Sequence, residues 1–278
     1  MKVAVLSGKG GAGKTFVSVN LAAVAKQATY IDCDVEEPNG HLFFKPENVH
    51  TTTVTRRMPE FDIKKCSGCR KCVDFCHFNA LIYLVNRPLI FKEVCHSCGG
   101  CMLVCSNDAI HETKHPVGVV EDGWHKNVHV VTGILNTGES SGIPVIKEAE
   151  KIGKKEDGFI VLDCPPGSAC SVMETITDAD YCILVAEPTA FGFHNFCMVY
   201  ELVTLLHKKI GVVINKQEEF YSPLEEFCKE HEISILTRIP YQQEIASLTA
   251  QGNIASECND DARAIFVDLL EKIEGAGI

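Results

Sequence analysis

Six short apolar runs set the rhythm of this chain: KVAVLS (2–7), TYIDC (29–33), FIVLDC (159–164), YCILVAE (181–187), KIGVVIN (209–215) and ISILTRI (233–239). Each is nearly continuous and rich in β-branched residues, and helix-length segments separate them. A strand with one wet face alternates, whereas continuous runs indicate burial on both faces. The pattern therefore predicts an α/β fold, a mostly parallel sheet with helices on both sides. The last such segment, DDARAIFVDLLEKI, places Ile265, Phe266, Leu269, Leu270 and Ile273 on one face at helical spacing. Its polar face is acidic, which favours core packing over a membrane-binding tail.

The alternation stops between residues 59 and 115, where cysteine spacing replaces it, and near HPVGVV gives way to a longer connecting segment. The chain thus reads as a core domain in two parts, 1–58 and 116–278, with an insertion at 59–115. Within the insertion, CSGCRKCVDFCHFNAL from Cys66 and CHSCGGCMLVCSNDAI from Cys95 are two copies offset by 29 residues. A duplicated unit predicts a small α+β module with a pseudo-twofold axis.

Composition narrows the function. The chain has 278 residues, 46% apolar and 23% charged, as expected of a folded globular protein. The formal charge is −11, yet the insertion carries seven Lys/Arg against six Asp/Glu, so the acidity belongs to the core. Neither a basic run nor a spanning apolar segment occurs, so neither nucleic-acid binding nor stable membrane association is expected. The first residues are already strand-like, with no room for a signal peptide, and a cytoplasmic location is the expectation.

Fifteen cysteines are many for a reducing compartment. Eight lie in the insertion, and each copy reads CxxCxxCxxxC, the spacing of half a bacterial ferredoxin. There three thiolates hold one 4Fe-4S cube and the fourth reaches the other cube. That rule assigns Cys66, Cys69, Cys72 and Cys105 to one cluster and Cys95, Cys98, Cys101 and Cys76 to the second. A pair of zinc sites is the alternative, but zinc would leave the third and fourth cysteines of each copy without a task. His77 and Ser106 stand where proline usually follows the fourth cysteine. Cys33 and Cys164 belong to no CxxC pair and read as buried thiols.

GKGGAGKT, Gly8 to Thr15, fits GxxxxGKT between a strand and a helix that begins near Lys14. In such a loop the backbone of Gly8, Gly10, Gly11, Ala12 and Gly13 cradles phosphates, lysine 14 reaches the terminal phosphates and Thr15 binds Mg2+. With Lys9 as a second lysine, the loop resembles that of the deviant P-loop ATPases of the MinD, Mrp and nitrogenase iron protein group. The resemblance covers nearly the whole chain outside the insertion. It is strongest to the MinD-superfamily ATPases of anaerobes that carry an inserted two-cluster ferredoxin domain. It implies a homodimer in which Lys9 crosses to the partner's nucleotide. It also implies that Asp34 of DCDVEEPN positions the attacking water, that Asn39 binds nucleotide, and that Asp32 lies near the Mg2+ shell. By the same resemblance DCPPG is switch II, with Asp163 on a Mg2+-bound water and Gly167 sensing the γ-phosphate. Asn215 and the IPYQQEI segment, with Pro240, fall on the adenine side, so ATP/ADP is the nucleotide implied.

Three functions follow for a switch joined to two clusters. ATP could gate electron transfer to or from a redox partner, hydrolysis could deliver a metal cluster to a client protein, or the chain could be a positioning ATPase with structural or redox-sensing clusters. Two complete cysteine sets within one chain make a poor donor site, and the acidic balance offers no surface-binding element. Gated electron transfer therefore leads.

Overall fold

A computed structural model describes residues 1–85, 87–154, 158–218 and 220–275. The strands are β1 (Lys2–Leu6), β2 (Ala28–Asp32), β3 (Glu47–Phe61), β4 (Leu81–Leu84), β5 (Arg87–Ile90), β6 (Ile110–His125), β7 (Val128–Leu135), β8 (Phe159–Asp163), β9 (Tyr181–Ala186), β10 (Lys209–Gln217) and β11 (Ser234–Pro240). Nine of them form one sheet in the order β11-β10-β9-β1-β8-β2-β7-β6-β3, and β4 pairs with β5 in a second. From β11 to β7 every neighbour is parallel, and the last two pairings are antiparallel.

Successive side chains of a strand point to opposite faces, and two cores result. Ala4 and Leu6 join one layer with Val145 and Ile146 of α1 (Ile143–Gly153) and Phe196 and Val199 of α2 (Ala190–Leu205). Val3 and Val5 join the other, with Val17 and Leu21 of the helix Lys14–Val24 and with Phe266, Leu269 and Ile273 of the helix Asp260–Gly275. Of the five apolar residues on that last helix's face, Phe266, Leu269 and Ile273 are buried and Ile265 and Leu270 are half-buried against the same core, so it packs as core.

The longer connecting segment expected near HPVGVV is a strand: residues 110–125 form β6, which pairs antiparallel with β3 from Phe61↔Ile110 to Glu47↔Trp124. The two make a long ribbon on the edge of the main sheet. Residues 58/59 and 115/116 lie inside its strands, so the backbone crosses from core to cysteine module without a linker.

At the ribbon's tip the sequence repeat becomes geometry. Phe61 pairs with Ile110, Pro59 with Glu112 and Met58 with Thr113; adding or subtracting the 29-residue offset turns these into Ile90↔Leu81, Pro88↔Tyr83 and Arg87↔Leu84, which are the β4–β5 pairs. Each half is a strand, a cysteine loop, a short helix and a strand, and each half's strands pair with those of the other half. Left-handed backbone recurs with the same offset, at Gly68 and Ser97, Arg70 and Gly99, and Asn79 and Asp108.

Candidate functional site

The phosphate loop runs from β1 to the helix at Lys14. Gly13 has φ 98°, and a side chain there would meet Asn215 Nδ2 at 1.9 Å, so both backbone and space require glycine. Asn215 Nδ2 donates instead to Ala12 O at 2.9 Å, and Lys216 Nζ donates to Gly11 O at 2.7 Å, so the end of β10 clamps the loop. Because the helix starts at Lys14, its unpaired N–H groups face the loop, which is the usual electrostatics of a phosphate site.

Three carboxylates gather round Lys14. Its Nζ donates to Asp163 Oδ1 at 2.8 Å and lies 3.7 Å from Asp34 Oδ2. Ser18 Oγ donates to the same Asp163 oxygen at 3.0 Å, and the Tyr30 hydroxyl donates to Asp163 Oδ2 at 2.8 Å. Asp32 Oδ2 accepts the N–H groups of Asn39 and Gly40 at 3.0 and 2.9 Å, and its Oδ1 accepts Asp34 N at 3.2 Å. That carboxylate therefore shapes the loop carrying Asp34.

Burial alone would lower Lys14, but Asp163, Asp32 and Asp34 outweigh it and hold the ammonium above its ordinary range. Burial first, and the Asp163 charge second, push Asp32 up to about 7. Burial also raises Asp34, against the pull of Lys14. Three acids facing one ammonium leave an excess of negative charge, which a divalent cation would neutralise. Among the described residues, no three His, Cys, Asp or Glu side chains converge on a single ion position. A cation here would therefore be held partly by Thr15, phosphate and water.

A cleft of about 670 Å³ opens above the loop, and Lys9, Gly10, Gly11, Gly13, Lys14, Thr15, Asp34, Asn39, Asn215 and Pro240 all line it. Gly8, Ala12, Asp32, Asp163 and Gly167 are not among the lining residues, Ala12, Asp32 and Asp163 being buried and Gly8 and Gly167 half-buried. Gly8 packs on the Asn195 backbone, Ala12 is buried, and the Gly167 N–H is donated to Ser7 O at 2.9 Å. Phe16 and Tyr241 add apolar wall at the Pro240 side. Lys9 pairs with Glu187 and lies 5.1 Å from the centre of the Phe191 ring. Sequence reasoning missed Tyr30, Ser18, Glu187 and Lys216. Tyr30 stands inside a strand run and reads as core, and the others belong to no motif.

The cysteine module brings its eight thiols into two groups. One cavity is lined by Cys66, Cys69, Cys72 and Cys105, with Phe61, Tyr83 and Ile110. The other is lined by Cys76, Cys95, Cys98 and Cys101, with Phe75, Ala80 and Leu81. Each cavity thus takes three cysteines from one copy and one from the other. Cys101 is pushed up to about 11 by burial and then by Cys95 and Cys98 beside it, and Cys72 is raised by burial, with Cys66 and Cys105 adding to it. Backbone N–H groups point at sulfur: Ser97 N donates to Cys95 Sγ at 3.5 Å and Ala109 N to Cys105 Sγ at 3.3 Å. Cys33 and Cys164, by contrast, are fully buried in the core, and burial pushes both thiols up.

Comparison with known proteins agrees with the geometry of the loop. The chain is 28% identical to an uncharacterised protein of Methanocaldococcus jannaschii, over 99% of this chain and 96% of that one, and 26% identical to a second from the same organism, over 94% and 93%. The cell division ATPase MinD of Pyrococcus furiosus superposes with a TM-score of 0.59 at 19% identity, covering 99% of this chain and 98% of MinD. The septum site-determining protein MinD of Pyrococcus horikoshii, solved with Mg-ADP, gives 0.60 at 20% identity, covering 99% and 96%. Those likenesses show a shared fold. The CobQ/CobB/MinD/ParA nucleotide binding domain matches residues 3–255, and the chain belongs to that family.

Proposed function

We propose that this protein is a MinD-like ATPase with two 4Fe-4S clusters in a ferredoxin-like module, and that ATP binding and hydrolysis by a homodimer gate electron transfer to or from a partner protein. The observation that carries the reading is the division of the eight thiols into two cavities, each with the crossed set of four that two cubes require.

The residues suit such a group. A cube spreads its four thiolates over four irons, and each cavity offers four cysteines, the number that a cube takes. The N–H groups of Ser97 and Ala109, which donate to the Cys95 and Cys105 sulfurs, would stabilise thiolate charge, while Cys69 and Cys98 stay exposed. The clusters would supply one-electron chemistry.

On the nucleotide side, Lys14 would leave Asp163 for the terminal phosphates, Thr15 would face Mg2+, and Asp163, tied to Ser18 and Tyr30, would accept from a water on that ion. Asp34, on the loop shaped by Asp32, would orient the attacking water. Asn215, Pro240 and Tyr241 would flank the base. Lys9 lines the cleft within reach of a partner's nucleotide only after leaving Glu187.

The test is an anaerobic preparation assayed for iron, sulfide and ATP hydrolysis, followed by mixing the dithionite-reduced protein with a one-electron acceptor dye, with and without Mg-ATP. Eight irons and an electron-release rate that ATP changes several-fold are expected. Lys14→Ala should abolish hydrolysis, at least a hundredfold given the role of this lysine, and remove the ATP effect while leaving cluster absorbance intact. Iron-free protein, or release indifferent to ATP, would sink the reading.

A further inference from the structure

Among the described residues, Cys95 is the one module cysteine whose carbonyl accepts a hydrogen bond from a side chain. Arg56, on β3, donates from Nη1 to Cys95 O at 2.6 Å and from Nη2 to Lys92 O at 2.8 Å. The same guanidinium lies 2.9 Å from Glu139 Oε2, and His115 Nε2 lies 3.2 Å from Glu139 Oε1. The Arg56 and Glu139 side chains are only 11% and 12% exposed, so little water screens them. Among the described residues no side chain donates to the carbonyl of Cys66, Cys69, Cys72 or Cys105, and Arg70, which lines their cavity, lies over the Tyr83 ring instead.

Glu139 belongs to the segment between β7 and α1, and the start of that segment is fixed to the nucleotide site. Leu135 N donates to the carbonyl of Val35 at 2.8 Å, and Val35 follows Asp34, which sits 3.7 Å from Lys14. Val35 is buried, and a Cβ built on Gly133 or Gly142 would strike it at 2.7 or 2.4 Å. Packing this close transmits displacement, because the interior has no slack to absorb it.

We infer that Arg56 and Glu139 are positioning residues that couple the Asp34 loop to the cluster held by Cys95 and leave the other cluster untouched. The inference rests on the two-cluster reading above. A cluster becomes more negative by one charge on reduction, so a guanidinium at a ligand's carbonyl favours the reduced form, and a carboxylate that draws the guanidinium away opposes it. Nucleotide at Asp34 displaces Val35, the segment after β7 follows, and Glu139 changes its hold on Arg56. In the titration one electron comes from dithionite, no bond forms or breaks, and no proton moves.

The experiment is a potentiometric EPR titration of the whole protein, with and without Mg2+ and a slowly hydrolysed ATP analogue, after an iron count. Cys98→Ser and Cys69→Ser identify which signal belongs to which cluster. In the wild type, nucleotide should move the potential of the Cys95 cluster and not the other. Arg56→Gln should make that cluster about tenfold harder to reduce, ~59 mV for one electron, and abolish the nucleotide effect. Arg56→Lys should recover part of the potential. Glu139→Gln should abolish the nucleotide effect while leaving the Cys95 cluster at least as easy to reduce as in the wild type. With eight irons present, equal shifts of both clusters in Arg56→Gln, or a nucleotide response that persists in Glu139→Gln, overturn the inference. A wild-type preparation without iron overturns the two-cluster reading instead, and this inference with it.

Discussion

Asp32 is fully buried, and its folded pKa of about 7 has a thermodynamic consequence. An aspartate in an unfolded chain titrates near ~3.9. Between those values the folded protein keeps a proton that the unfolded chain has lost. This contribution to stability is therefore fully present at the acid end and is lost as pH rises through about 7. Asp34, also raised by burial, acts with the same sign. Nucleotide-free protein should therefore melt at lower temperature near pH 8 than near pH 5.5; about 1 kcal/mol surviving relaxation would read as ~2–4 °C in a chain this long. Asp32→Asn should flatten the profile, because its amide can still accept from Asn39 or Gly40 without carrying charge. Scanning calorimetry at several pH values decides it, and an equally steep profile in the variant would remove Asp32 as the cause.

The ribbon of β3 and β6 is the element that joins switch to module, and its register gives a direct test of independence. Phe61 and Ile110 face each other at the last rung before the cysteine loops, so an Asn-Gly turn between them would close a hairpin in place of residues 62–109. The shortened chain should fold, bind nucleotide with affinity within about threefold of the parent, less than 1.4 kcal/mol, and hold no iron. Loss of nucleotide binding measured by calorimetry would mean that the core needs the module. The same ribbon marks the limit of what the sequence makes legible. β1, β2, β8, β9 and the middle of β10 are buried on both faces and show as nearly unbroken apolar runs, and β11, an edge strand burying only Leu236 and Ile239, still shows through its apolar residues. β3 is an edge strand, ENVHTTTVTRRMPEF, with only Val54 and Met58 buried, so its polar residues hide it. β7 is central, but His129 and Thr132 interrupt VHVVTGIL; both are buried, and His129 Nε2 pairs with Asp122 on the neighbouring strand while its Nδ1 has no partner among the described residues. The phosphate loop and the eight cysteines are legible because their chemistry fixes their spacing. Tyr30, Glu187, Arg56 and Glu139 are not, since their roles come from contacts between residues far apart in sequence.

At the scale of the whole molecule, the proposed homodimer raises the question of what keeps one subunit from its partner. Lys9, the residue whose family resemblance implies a reach across a dimer, is held in its own subunit by Glu187 and stacked over Phe191. Lys216 competes for the same carboxylate at 3.8 Å. Both members of the Lys9–Glu187 pair retain about a fifth of their side-chain surface, 23% and 20%. The pair therefore contributes about what a surface ion pair does, ~0.5–1 kcal/mol. Removing it releases Lys9 for the partner's phosphates and also loosens Lys216, which clamps Gly11, so nucleotide affinity is measured beside dimerisation. Glu187→Gln should therefore tighten the ATP-dependent dimer roughly two- to fivefold, the equivalent of that free energy. It should also make dimerisation more sensitive to salt, because screening of the Lys9–phosphate attraction is no longer offset by screening of the Lys9–Glu187 pair that must break. Sedimentation of the wild type and variant with Mg2+ and a slowly hydrolysed ATP analogue, at low and high ionic strength, measures both effects. A variant whose dimer is weaker would show that Glu187 serves the interface, and Lys9→Ala, which loses the crossing charge, should fail to dimerise whether Glu187 is present or not.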